Sequence, residues 1–435
     1  MSIKTLHLTN SWHSESGGIA TFYRELLSAA EREGRQIRLV TPGNCDGVEK
    51  IGRHAVMYRV KARPVRFSPG YRLMMPLSFL APGGAIRRII DEERPDLVEC
   101  CDRYTLNYLA GLLRRGWLAS RDYRPAVIGL HCERMDDNMA SYFSHAPAAR
   151  RFCRWYLRWL HFPMFDHHIA VSDYVASELR DISGGHDVQR GVWVRPPGVA
   201  SSFFHPGHRS PEARARLAKL AGAPDDCALL LYVGRLAPEK NLELLVETME
   251  ALESKDSGAC HLVIAGDGPL RAALERRCAR TIPGAFCFLG HIADRSQLAS
   301  IYANADVFVH PNPREPFGIA PLEAMASGLA LVAPASGGLL HYANPANAWL
   351  AEPTAPAFAD AVREIIACGA GCREKRNNAR LAAERFDWNR VTAGYFQLYD
   401  ELYALAQNRG RAAAIAPSFY STAGSHPSTE GEQSC

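Results

Sequence analysis

Apolar positions along the chain follow two rhythms. Short solid runs at Thr5–Thr9, Ile37–Thr41, Leu97–Cys101 and Ala126–Leu130 predict buried strands. Between them, apolar residues recur at helical spacing. One helix begins near Ile19, carries Phe22, Leu26, Leu27 and Ala30 on one face, and stops at Gly34. Another covers Gly84–Glu93. A strand at His168–Ser172, a helix through Ile182 and a strand at Val192–Arg195 continue the alternation. Strands that alternate with helices build a parallel sheet, because each parallel connection needs a crossover.

The rhythm breaks at Pro196-Pro197-Gly198 and the irregular Ser201–Pro211, then restarts. Strands are predicted at Ala228–Val233, His261–Ala265, Phe286–Leu289 and Asp306–His310. The helix after the first of these carries Leu242, Leu245, Val246, Met249 and Leu252, with Asn241 as its expected cap. Leu298, Ile301 and Tyr302 share a face of a short helix. Two helices follow, around Phe358–Ala367 and Arg373–Arg385. A last helix, Asp387–Leu405, puts Trp388, Val391, Tyr395, Leu398 and Leu402 on one side. From Ala406 the composition becomes small and polar, which predicts a disordered tail over 406–435. The chain thus divides into a first α/β domain over 1–200, a second over 201–386, and the closing helix over 387–405.

Composition narrows the classes. The 435 residues are 47% hydrophobic and 22% charged, enough to build true cores. A net charge of +4 is too mild to argue for nucleic acid. No apolar run is long enough to span a bilayer, and the start lacks a secretory pattern, so a cytoplasmic location is expected. The cysteines are scattered without paired C-x-x-C sets, which supports neither zinc nor a disulfide framework. Cys260, Cys278 and Cys287 read as small buried side chains.

Candidate chemistry gathers at strand C-termini, where open α/β sheets bind ligands. In Glu315–Gly328, EPFGIAPLEAMASG, a carboxylate precedes a short helix and a second, Glu323, lies near its start. The backbone N–H groups of Phe317, Gly318, Ile319 and Ala320 lack intrahelical acceptors there, and the helix dipole favours an anion such as phosphate. Carboxylates beside such a site suit sugar or ribose hydroxyls. In GRLAPEKN, Arg235 and Lys240 flank a turn and could meet one diphosphate. Gly17 and Gly18 stand where the first strand crosses into its helix, although the G-x-G-x-x-G spacing is absent. His131 ends a strand, as do Gly266-Asp267-Gly268-Pro269 and Gly290-His291-Ile292. Gly266, Gly268 and Ile292 therefore join the candidate binding set.

Taken in order, Gly17-Gly18, GRLAPEKN, AGDGP and EPFGIAPLEAMASG followed by Ser336-Gly337-Gly338 resemble the retaining glycosyltransferases of family 4. The likeness covers the chain up to the tail. It implies the GT-B fold, two Rossmann-like domains facing a central cleft. It also implies a hexose (mannose or glucose type) moved from a nucleotide-diphosphate sugar to a glycan or lipid hydroxyl, with no metal. By the resemblance, Arg235 and Lys240 hold the diphosphate, Glu315 the donor sugar hydroxyls and Glu323 the ribose. Phe317, Gly318 and Ile319 offer N–H groups, Gly18 approaches the phosphates, and His131 touches the donor sugar. Cys132 after His131 departs from the pattern. A nucleotide-sugar epimerase of the same fold and a non-catalytic nucleotide-sugar-binding assembly protein are the alternative readings.

Ala148–Phe165 stands apart. Arg150, Arg151, Arg154 and Arg158 share one helical face, and Phe152, Trp155, Trp159 and Phe162 another. The preferred reading packs the aromatics on the core. The other lays the helix on the inner face of a membrane. The basic loop Lys61–Arg72 is expected to be exposed.

Overall fold

The computed structural model describes residues 3–12, 17–65, 70–118, 123–142, 146–183, 191–224, 226–255 and 258–415. Its first half contains β1 (Lys4–Thr9), β2 (Gln36–Gly43), β3 (Gly47–Lys50) and β4 (Ala55–Lys61), then β5 (Arg63–Pro64) and β6 (Arg72–Leu73), then β7 (Leu97–Cys101), β8 (Ala126–His131), β9 (His167–Ala170) and β10 (Val192–Val194). Eight of these form one sheet in the order β10-β9-β8-β7-β1-β2-β4-β3. All its pairings are parallel except β3 with β4. That hairpin is absent from the pattern reading because its residues are half polar. It is anchored by Glu31, whose carboxylate accepts from the Arg53 and Ala55 backbone at 2.9 and 2.7 Å. Part of the basic loop is ordered, since β5 pairs with β6; residues 66–69 lie outside the described residues.

The second half contains β11 (Ala228–Val233), β12 (Cys260–Ala265), β13 (Phe286–Gly290), β14 (Val307–Val309), β15 (Ala330–Pro334) and β16 (Trp349–Ala351). They form one all-parallel sheet in the order β13-β12-β11-β14-β15-β16. The order reverses direction between β11 and β14, and in the first sheet between β1 and β7. Loops leaving such neighbours part to opposite faces and open a crevice.

The helix Trp388–Ile415 returns to the first sheet and packs on the helix Gly18–Glu33. Trp388, Tyr395, Leu398, Tyr399 and Leu402 share one buried cluster with Phe22, Leu26, Leu39 and Ile128. Buried Glu99 on β7 binds the two layers. It accepts from Tyr399 Oη at 2.6 Å and Tyr23 Oη at 3.1 Å, and meets His7 Nδ1 at 2.8 Å. The helix runs past Ala406, so the boundary expected there falls inside it, and residues 416–435 lie outside the described residues.

Three expectations need correction. Asn241 does not cap the helix Glu243–Glu253; it takes φ 54° and donates to the Pro311 carbonyl at 3.0 Å. The sulfurs of Cys368 and Cys372, read from the sequence as scattered, meet across the turn joining two helices. The segment Ala146–Tyr156 and its π-helical continuation Leu157–His161 bury Cys153 and Leu157, not the aromatics. Phe152, Trp155 and Trp159 are 50%, 51% and 58% exposed, beside exposed Arg150, Arg151 and Arg154. Only Phe162 of the four is buried. No described helix is long and apolar enough to cross a membrane.

Candidate active site

The second sheet's reversal places two loops side by side. The loop after β11 carries Arg235 to Lys240, and the loop after β14 carries His310 to Gly318. Lys240 Nζ donates to Glu315 Oε2 at 2.8 Å, and Asn312 Nδ2 donates to the same oxygen at 3.1 Å. Burial alone would raise the Glu315 pKa; Lys240, His310 and Asn312 outweigh it and hold it at about 2. Burial drops His310 to about 4, so its Nε2 at 3.5 Å from Glu315 is a neutral contact at pH 7, not an ion pair. Arg235 pairs with Glu239, one turn along the same loop.

Backbone packing sets the helix Ile319–Ala326. Gly318 precedes it at φ 87°, where a side chain would strike Tyr342 Oη at 3.0 Å and Glu315 Cγ at 3.2 Å. Tyr342 Oη donates to the Gly318 carbonyl at 2.7 Å, and Gly338 N donates to the Glu315 carbonyl at 2.7 Å. Phe317 is buried against Tyr342 and Phe386. Glu323, in the helix, accepts from Tyr302 Oη at 2.9 Å. Burial raises its pKa to about 7 against the opposing pull of Tyr302 and Arg295.

The first domain meets this helix head to head. A Cβ on Gly18, which opens the helix Gly18–Glu33, would lie 3.1 Å from Ile319 Cδ1. Two helix N-termini thus converge on one gap, and both favour negative charge there. Gly17, beside Gly18, is exposed with open space around it. Ser172 Oγ donates to the Pro316 carbonyl at 2.6 Å, and His341 Nδ1 lies 3.3 Å from Asp173, so further contacts join the halves near the site.

The remaining expected residues have the following surroundings. His131 is 1% exposed, with Nε2 3.0 Å from His168 Nδ1 and its ring against His161 and Phe165. Its pKa falls well below the usual range through burial and the neighbouring Arg103. Gly266 and Gly268 are spacers: a Cβ would come within 1.9 Å of the Gly234 carbonyl and 2.5 Å of the Leu236 carbonyl. They let the AGDGP loop lie on GRLAP, with Leu236 N donating to Asp267 O at 2.9 Å. Ile292 is half-buried against the core.

The sequence pattern gives Asn312 no role, and marks His310 and Tyr302 only as strand and helix positions, not as part of the site. Asn312 lies three residues before Glu315, and that spacing was the available signal. The first sheet's own crevice went unread as well. It is a pocket lined by Asn10, Ile19, Cys101, Asp102, Tyr104 and Cys132, among others. Asn10 Nδ2 donates to Asp102 Oδ1 at 3.0 Å and so ties the β1 and β7 loops together. Among the described residues, no group of three or more His, Cys, Asp or Glu could hold a metal ion.

Comparison with known proteins decides the family. The profile of Glycosyltransferase Family 4 matches residues 16–203, and that of Glycosyl transferases group 1 matches residues 214–386. A GDP-mannose-dependent alpha-(1-6)-phosphatidylinositol dimannoside mannosyltransferase of Mycobacterium tuberculosis is 30% identical over 392 residues, covering 90% of this chain and 94% of that protein. The chain belongs to the family 4 glycosyltransferases. Among solved structures, sucrose-phosphate synthase from Thermosynechococcus elongatus superposes with a TM-score of 0.73 at 24% identity, covering 92% of this chain and 99% of that one. The Anabaena HepE protein in complex with UDP gives 0.66 at 17% identity, with 92% and 100% covered. Both show the GT-B architecture described above. This glycosyltransferase is therefore a hexosyltransferase that uses a nucleotide-sugar donor.

Proposed function

We propose that the enzyme transfers mannose from GDP-mannose to a hydroxyl of a membrane lipid or lipid-linked glycan, with retention at the anomeric carbon. One observation carries the reading: Lys240, Glu315 and the Ile319–Ala326 helix N-terminus face the Gly18 helix N-terminus across one gap. Lys240, Arg235 and the first-turn N–H groups take the charge that grows on the leaving diphosphate. In this reading they do so without a metal. Glu315, held ionised, accepts donor sugar hydroxyls, and Glu323 accepts the ribose hydroxyls. The bond from the anomeric carbon to the β-phosphate oxygen breaks, and the acceptor oxygen bonds on the same face. The acceptor's proton passes to the leaving phosphate. Closure of the gap excludes water, which would hydrolyse the donor.

The donor rests on the mannosyltransferase relative, whose name states GDP-mannose dependence. The membrane-borne acceptor rests on the exposed Phe152, Trp155 and Trp159 beside the arginines, a surface suited to an anionic bilayer at its cytoplasmic face. An assay of nucleotide release with GDP-mannose, UDP-glucose and ADP-glucose, with and without EDTA, tests the first part. Release from GDP-mannose alone, unchanged by EDTA and dependent on added lipid extract, is the expected result. Release from a UDP-sugar alone would replace the donor, and a sugar nucleotide isomerised without acceptor would make the protein an epimerase. Sedimentation with phosphatidylglycerol vesicles, comparing wild type with Trp155→Ala/Trp159→Ala, tests the surface; equal sedimentation removes the membrane from the proposal.

A further inference from the structure

Two thiols stand in the wall of the first domain's pocket. Cys101 ends β7, and Cys132 follows β8, the neighbouring parallel strand, with Cys100 paired to Gly129 in register. Their Sγ atoms are 3.7 Å apart. A disulfide needs about 2.05 Å, so each sulfur has to move by roughly 0.8 Å; Cys132 lies diagonally from Cys101, two residues past its in-register neighbour Leu130, so closure also draws the backbone after β8 inward. Cys132 is half-buried and Cys101 is buried behind it, and both line the pocket with Asn10, Asp102 and Tyr104.

We propose that Cys101 and Cys132 form a modification site, closed to a disulfide by exchange with a small disulfide of the glutathione class. The more exposed Cys132 attacks first, forming a mixed disulfide and releasing one small thiol. Cys101 then attacks the Cys132 sulfur and releases the second. Two S–H bonds are lost, one S–S bond forms in the protein, and the small disulfide leaves as two thiols carrying the two electrons and two protons.

The position gives the bond a consequence. Cys132 packs against both the core cluster that spans the two domains and the cluster under the last helix. It opens the short segment leading into the helix Met135–Tyr142, which packs on the turn Pro238–Lys240 of the other domain. Arg103 also holds this segment, donating to the Glu133 carbonyl. A bridge at Cys132 therefore stiffens the link between the pocket and the Lys240 turn. Transfer falls while nucleotide affinity, set in the second domain, stays. This consequence rests on the proposed function; the bridge itself does not.

The full chain is incubated with glutathione disulfide, alkylated, digested and read by mass spectrometry without reduction. The expected product is one Cys101–Cys132 linked peptide pair, lighter by two hydrogen atoms than the sum of its parts, absent in Cys101→Ser and Cys132→Ser. Exposed Cys45 serves as the control that takes only a glutathione adduct. Glutathione adducts at Cys132 with no linked pair would overturn the site. The oxidised enzyme is then compared with the reduced one. A severalfold loss of transfer with unchanged GDP affinity, restored by dithiothreitol and lacking in Cys132→Ser, supports the coupling. A linked pair with unchanged transfer overturns the coupling and leaves the donor reading standing. No turnover in either state points instead to failure of the donor reading.

Discussion

Gly18 and Ile319 lie on opposite halves of the chain, yet Ile319 Cδ1 occupies a point 3.1 Å from where a Cβ on Gly18 would stand. The missing side chain is what lets the two helix starts come this close. Gly18→Ala needs only a small shift of the flexible Ile319 tip. Gly18→Val pushes the two starts apart. Gly18→Val is expected to lower kcat/KM about tenfold or more, since small misplacements at a reacting centre are costly. Its melting temperature should stay near wild type because Gly18 is exposed. Adding Ile319→Ala should recover part of the loss; steady-state kinetics on the three variants checks this.

Removing Lys240 acts on stability and binding together. Glu315 is 8% exposed and relies on that ammonium. Lys240→Ala leaves a buried carboxylate with Asn312 as its remaining strong donor, which costs about 2 kcal/mol. The folded pKa of Glu315 is depressed to about 2, so the stabilisation is present above its ordinary value of 4.5 and lost as pH falls through 2. Urea melts at pH 7 should show the full difference, and at pH 3 a smaller one. Nucleotide affinity should fall in the same variant, by calorimetry.

Glu323 has the opposite sign. Its folded pKa, about 7, lies above the ordinary 4.5. The stability held by its neutral form is complete below pH 4.5 and is lost as pH rises through 7. Glu323→Gln keeps a neutral side chain, so without ligand it should melt higher than wild type at pH 8 and equal it near pH 4.5. Donor binding should show the cost. Wild-type affinity for the nucleotide should rise with pH through 7 as the carboxylate forms, whereas Glu323→Gln should bind weakly with no such rise. Thermal melts with and without GDP at both pH values make the comparison.

Tyr399→Phe removes one hydrogen bond to fully buried Glu99. An unsatisfied buried carboxylate oxygen costs about 2 kcal/mol. The expected outcome is a lower urea midpoint with an unchanged slope, together with faster amide exchange in Trp388–Ile415 and no change in the second sheet.

The doubly wound architecture was legible because most strands are buried on both faces and read as solid apolar runs, such as Leu97–Cys101 and His261–Ala265. The site was legible where one short stretch carries its own geometry. Glu315, Gly318 and Glu323 share a strand–turn–helix unit whose shape follows from local rules. The burial of His131 was not legible, because it depends on His161, His168 and Arg103, which reach it from other stretches of chain. The outward turn of Trp155 and Trp159 was hidden for a similar reason. Periodicity showed that arginines and aromatics separate, but not that Cys153 and Leu157 take the inner face. The β3–β4 hairpin escaped because a half-polar edge strand leaves little apolar signal.

The last helix lays its aromatic side against a sheet made long before it, with Tyr399 bound to Glu99 300 residues upstream. During synthesis the first half emerges with Phe22, Tyr23 and Glu99 waiting for partners that the ribosome has yet to make. A fragment cut at the linker near Pro211 therefore keeps a bare flank where Tyr395 and Tyr399 belong, and it should clump unless those residues are supplied as a separate peptide.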